Sequence, residues 1–175
     1  MAAWVTALWT SATAGALAQV SIEYDLKATF LYKFVAFVTW PPEAFESADS
    51  PVRICVAGDD PFHEILDRAV SGQRIGDRRI EVDRQHVITP AARCHVVYVA
   101  GSVMQPVAEA LEAIRGQPIL TFTNSSREAP AKGVVHFVVR DNRLRFEIDE
   151  QQAATNRLVV SSKVLSLAVS VRPRS

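Results

Sequence analysis

Short runs of apolar, largely β-branched residues alternate along this chain with stretches of helical periodicity, and that alternation narrows the fold more than any other feature. The first run, Val52-Arg53-Ile54-Cys55-Val56-Ala57-Gly58, is short and almost continuously apolar, which predicts a strand buried on both faces. Ile80–Val82, His95–Ala100 and Ile119–Phe122 are three further strand candidates. Helix signals fall between them. After the first run, Asp60 is placed to cap free amides and Pro61 suits a first helical position, where its missing N–H costs nothing. Ser102-Val103-Met104-Gln105 has capping-box spacing, and the helix it opens turns Val107, Leu111 and Ile114 inward before ending at Gly116. Strands alternating with helices imply an α/β fold with a mainly parallel sheet covered by helices on both faces.

The flanks extend that plan. From Glu23 to Trp40 the residues Leu26, Phe30, Phe34 and Phe37 recur at spacings of three and four, predicting a helix with a broad buried side that stops at Trp40-Pro41-Pro42. Val134–Val139 and Leu144–Ile148 flank Asp141-Asn142, residue types that tolerate the left-handed backbone of a tight turn, so an antiparallel hairpin is expected near the C-terminus. Gln151–Asn156 reads as a short helix, and Val164–Ala168 as a last apolar helical segment. No repeat or linker interrupts the 175 residues, and a chain of this length sustains one core without a metal.

Residues 1–22 carry no charge, and the apolar stretch from Trp4 ends in Ala16-Leu17-Ala18, the small-x-small pattern of a signal-peptidase site. Thr6, Thr10, Ser11 and Thr13 interrupt the stretch, which is too polar and too short for a spanning helix. The expectation is a signal peptide over 1–18, cleaved after Ala18, and a mature domain over 19–175 in the periplasm. Export bears on Cys55 and Cys94. In an oxidising compartment they can form a disulfide, closing a loop worth on the order of 3–4 kcal/mol; the other reading is two buried thiols. Export favours the disulfide.

Several chemistries are excluded. Nineteen basic residues against nineteen acidic ones leave no net field to attract nucleic acid. No phosphate loop, nucleophile elbow or H-E-x-x-H pattern is present, and Ala57-Gly58-Asp59-Asp60 puts two carboxylates where a nucleotide's phosphates would sit. His63, His86, His95 and His136 are scattered and there is no C-x-x-C, so no metal site or cofactor is expected. Ser162 and Lys163 would point about 100° apart on a helix, and Cys94 and His95 to opposite faces of a strand, so neither pair makes a nucleophile with its base. Ser161 and Ser162 suit the cap of the last helix instead. The chain is not expected to be an enzyme.

Ordered motifs run from Tyr24 to Ala168. They are Lys27-Ala28-Thr29-Phe30-Leu31-Tyr32-Lys33-Phe34 with Phe37-Val38-Thr39-Trp40-Pro41, then Ile54-Cys55-Val56-Ala57-Gly58-Asp59-Asp60-Pro61-Phe62, then Cys94-His95-Val96-Val97-Tyr98. Phe146-Glu147-Ile148-Asp149 and Leu158-Val159-Val160-Ser161-Ser162-Lys163-Val164-Leu165-Ser166-Leu167-Ala168 complete the set. In this order they resemble the YfiR-like family of periplasmic regulators. The resemblance implies a non-enzymatic protein that binds and represses the periplasmic sensing domain of an inner-membrane diguanylate cyclase, and so controls cyclic di-GMP and biofilm formation. A sensor kinase is equally reachable from that compartment. It also implies a homodimer and a disulfide between Cys55 and Cys94. The family's F-E-I-N appears here as F-E-I-D, and no further cysteine is present for a second pair.

A leading site and an alternative to it follow. A partner-binding site is placed at Glu147 and Asp149, which share one strand face and would offer exposed acceptors at a polar rim. The alternative is a small-molecule-sensing or solute-binding domain whose ligand sits at the carboxyl ends of the strands, at Asp59, Asp60 and Ser102, where open α/β sheets bind.

Overall fold

The computed structural model describes residues 12–125 and 131–175. The expected signal peptide lies outside these residues up to position 11, as does part of the polar loop after Asn124. Helix α1 (Ala12–Lys33) opens the described chain, followed by a 3-10 turn (Phe34–Phe37) and strand β1 (Val38–Thr39). Next come β2 (Val52–Gly58), α2 (Glu64–Val70), β3 (Arg74–Ile75), β4 (Arg78–Gln85) and β5 (Val96–Gly101). Then α3 (Val107–Ala113), β6 (Leu120–Asn124), β7 (Val135–Arg140) and β8 (Arg143–Asp149) follow. Helix α4 (Glu150–Thr155), β9 (Val159–Val160), α5 (Ser162–Leu165) and β10 (Ser170–Arg172) complete the chain.

Eight strands form one sheet in the order β10-β8-β7-β6-β5-β2-β4-β3. The five from β4 to β7 are mutually parallel. β8 returns antiparallel to β7, and β10 lies parallel to β8. The α/β class, the mainly parallel sheet and the antiparallel hairpin are as the sequence implies. The hairpin turns through Asp141 (φ 52°) and Asn142 (φ 55°), the two left-handed residues a two-residue turn requires.

Strand β2 lies inside the sheet, between β5 and β4, and is buried on both faces, which explains its largely apolar run. Ile54 and Val56 join one core layer with Ala28 and Leu31 of α1, Leu66 of α2, Tyr98, Phe122 and Phe137. Cys55 and Ala57 join the opposite layer with Val97, Val99, and Ala110 of α3. Phe34 sits edge-on to Phe122 and Phe146, with ring centroids 5.4 and 5.0 Å apart, a geometry that adds to simple area burial.

Three local expectations need correction. The first helix ends at Lys33, because Val38 and Thr39 pair with Val160 and Val159 and that tertiary ladder overrides helical continuation. Its buried stripe is Lys27, Ala28, Leu31, Phe34 and Val35, so Leu26 and Phe37 are exposed. Second, Asp60 does not cap α2: its Oδ1 accepts from the Phe62 amide at 2.7 Å, and the helix starts only after His63. Phe62, wholly buried against Tyr24 and Tyr98, forces the chain to turn inward first. Third, Ser102 Oγ accepts from the Gln105 amide, but α3 begins at Val107 and the Gln105 side chain turns away to grip Ile88. Ser161 does cap α5, accepting from the Lys163 amide. Strand β10, after that helix, has no counterpart in the sequence reading.

Candidate functional site

The sheet face that α3 covers at its centre turns polar towards β10. In register across four strands stand Thr123, His136, Glu147 and Ser170, and the neighbouring pair is Asp149 with Arg172. Alternation along β8 explains the placement. Phe146 and Ile148 point into the aromatic core, so Glu147 and Asp149 must point the other way. The sequence expectation that these two share a face therefore holds.

Their surroundings differ from the expectation. Neither carboxylate is an exposed acceptor: the side chains are 17% and 14% exposed. Glu147 accepts from Lys132 Nζ at 2.7 Å and Arg140 Nη2 at 3.2 Å, and the Lys132 hydrogen bond chiefly holds its carboxyl below the ordinary range. Asp149 Oδ1 caps α4 by accepting from the Gln152 amide at 2.9 Å, while Oδ2 accepts from Arg172 at 3.2 Å. The groups facing solvent are the cations: Lys132, Arg140 and Arg172 are 50%, 60% and 69% exposed. The result is a basic rim laid over a row of anchored carboxylates.

His136 stiffens the row from below. Thr123 Oγ1 accepts from the Gly133 amide at 2.9 Å and lies in hydrogen-bond contact with His136 Nδ1 at 2.8 Å. Nε2 lies in hydrogen-bond contact with Ser125 Oγ at 3.1 Å, so both ring nitrogens are engaged. Burial, with Lys132 nearby, depresses the imidazole pKa and keeps the ring neutral at pH 7. Lys132, Gly133, His136, Glu147, Asp149 and Arg172 together border a cleft of about 220 Å³.

The residues of the alternative site are spent largely on the fold. Asp60 accepts from Phe62 and, through Oδ2, from Arg84 at 2.7 Å. Ser102 Oγ is taken by Gln105, while Asp59 is exposed and its amide donates to the Gly101 carbonyl at 3.0 Å. Between them the backbones of Gly58 and Gly101 touch so closely that a Cβ on Gly58 would lie 2.7 Å from the Gly101 nitrogen. This contact closes the gap between β2 and β5, where the strand order reverses and a ligand would enter.

Cys55 and Cys94 form a disulfide, with Cα atoms 6.0 Å apart, beneath the amino end of β5. His95, the next residue, faces the other way. Its Nδ1 accepts from the Arg53 amide and its Nε2 faces the Ala44 carbonyl, both at 3.0 Å, and its ring stacks on Phe45. Burial lowers its pKa, and both nitrogens are occupied by structure rather than chemistry. Among the described residues no cluster of three or more His, Cys, Asp or Glu could hold a metal ion. Lys132, Arg140, Arg172 and His136 were not singled out from the sequence; only the alternation of β7 and β8 could have indicated His136, which lies opposite Glu147 once the hairpin turn is fixed.

The model of one protein family, described as YfiR/HmsC-like, matches residues 24–169, from the second half of α1 to the residue before β10. No curated protein matches the chain.

Proposed function

Because the chain belongs to the YfiR/HmsC-like family, we propose that it is a non-enzymatic periplasmic regulator that binds the periplasmic sensing domain of an inner-membrane signalling enzyme and holds it inactive. Membership supports a part in diguanylate cyclase signalling in general. The finer reading is that the partner is the cyclase itself and that the docking surface is the basic rim over Glu147 and Asp149. The mature protein spans 19–175 and works as a homodimer. No helix among the described residues is long and apolar enough to cross a membrane, in keeping with a protein that reaches its partner from the periplasmic side.

The observation that carries the reading is the rim. Three long, solvent-facing cations are each held by a single carboxylate that is itself mostly buried, so their heads stand outermost on this face, where a partner's acidic groups can meet them. The hydroxyls of Thr123 and Ser125 lie beside the His136 imidazole, but they occupy both ring nitrogens and leave none for an orienting carboxylate, and Glu147 and Asp149 are themselves paired or capping.

The test is a pull-down from solubilised inner membrane, comparing the wild-type chain with Glu147→Lys. Reversal places a third cation between Lys132 and Arg140 and scatters the rim. Retention of a cyclase or kinase by the wild type and its loss by the variant support the reading. Equal retention by both removes this face from the interface, and retention of nothing by the wild-type protein moves the balance to a small-molecule sensor.

A further inference from the structure

Lys132 and Arg172 border not one cleft but two. Beyond them, between α3 and α4, lies a second groove of about 440 Å³ whose floor includes Thr121. Arg115 stands on the α3 side, and Gln151, Gln152 and Thr155 on the α4 side. The functional groups turned into it are mainly donors. Gln151 uses its Oε1 to accept from Ser175, which leaves its amide N–H groups without a partner among the described residues. Glu112 is the one acid of the lining, and its link to Arg115 is long, at 3.4 Å, between side chains 71% and 65% exposed. Each of the three cations has one carboxylate partner, Arg115 with Glu112, Lys132 with Glu147 and Arg172 with Asp149, and each keeps further N–H donors that these contacts do not use, while Ala108 and Leu111 add an apolar flank.

We propose that the groove between α3 and α4 binds a small organic dianion, a dicarboxylate in its simplest form, held by Arg115 on one wall and by Lys132 and Arg172 on the other. Guanidinium groups suit this task because their forked donors match a carboxylate, and the Leu111 side takes the ligand's methylene chain. Occupancy also reaches the neighbouring row. A ligand that draws Lys132 and Arg172 inward takes them from Glu147 and Asp149, so the ligand competes with the rim for the same cations. This second step rests on the rim being the docking surface, as proposed above: the dianion then loosens the partner's hold.

The experiment is a calorimetric titration of the protein with malonate, succinate, glutarate and adipate, with butyrate and inorganic phosphate alongside. One dicarboxylate is expected to bind saturably, at least tenfold more tightly than butyrate. Arg115→Gln and Arg172→Gln should each weaken it more than tenfold, and Arg74→Gln, on β3 away from the groove, should not. Binding that reports inorganic phosphate alone, no saturable binding, or binding indifferent to Arg115 and Arg172 overturns the site. The coupling is read separately, from the NMR titration of the Glu147 carboxyl. With ligand bound its midpoint should rise towards the ordinary glutamate value, and an unchanged midpoint overturns the coupling. Neither readout involves the partner, so failure of the pull-down and failure of this site are distinguishable.

Discussion

Gln105 ties together two connections at the carboxyl end of the sheet, and replacing it with Leu should cost the protein a measurable share of its stability. The side chain is 9% exposed; its Oε1 accepts from the Ile88 amide at 2.8 Å and its Nε2 donates to the Ile88 carbonyl at 2.9 Å, with Ile88 itself 1% exposed. Leucine fills a similar volume but pairs with neither group. Leaving one buried polar group unsatisfied costs roughly 1–3 kcal/mol, and the apolar gain of a buried leucine offsets part of the double loss, for a net of roughly 2–3 kcal/mol. On a urea slope of about 2 kcal/mol per molar, the midpoint falls by about 1–1.5 M at constant slope. Met104→Ala, one residue away but 76% exposed, is the control and should stay within about 0.5 kcal/mol. If Gln105→Leu is indistinguishable from Met104→Ala, the Ile88 backbone groups find water in its place and the clamp reasoning is wrong.

Replacing Cys55 and Cys94 together with Ser opens a loop whose ends are 39 residues apart, and the chain-entropy relation gives a loss of about 4 kcal/mol, to be checked by urea unfolding of the variant against the oxidised wild type. His95 and His136 are both depressed chiefly by burial, so their folded values lie below the unfolded one. Their contribution is whole above about pH 6.5 and is lost as pH falls towards the folded values; the urea midpoint should drop between pH 7.5 and 5.5, and a flat profile there refutes the assignment. Gly58→Ala puts a Cβ into the Gly101 backbone at a residue held at φ 96°, and the expected outcome is failure to accumulate as soluble protein, whereas Gly72→Ala, also left-handed at φ 69° but with nothing within 4 Å of its Cβ, carries the backbone strain alone and should accumulate.

How much of this was legible in the sequence follows the range of the interactions. The centre of β2 and the Asp141-Asn142 turn are local matters, set by apolar continuity and by two residues that accept a left-handed backbone, and both emerged as expected. Strand β1 could not be foreseen, since only a ladder to Val159 and Val160 makes two residues of an apparent helix extended. Lys27 is the reverse case. It sits wholly buried in the stripe of α1, paired with Glu23 four residues earlier and lying over the Tyr24 ring, a spacing the sequence displayed without saying that the pair would be taken inside. At the candidate site the two carboxylates were readable from strand alternation. Their cations were not, because Lys132 reaches Glu147 from the loop before β7 and Arg172 reaches Asp149 from β10, a strand that itself went unrecognised.

The ladder between Val38 and Val160 joins positions more than a hundred residues apart, and it orders events in time as well as in space. A chain that emerges amino end first presents Leu31, Phe34 and Val38 long before β9 exists to meet them. Contacts of such long separation form late and slowly. During that interval the aromatic side of α1 is sticky surface, open to any other unfinished chain nearby. Completion therefore waits on the last few dozen residues, and a truncation before Val159 is expected to harm the first forty residues as much as the ones removed.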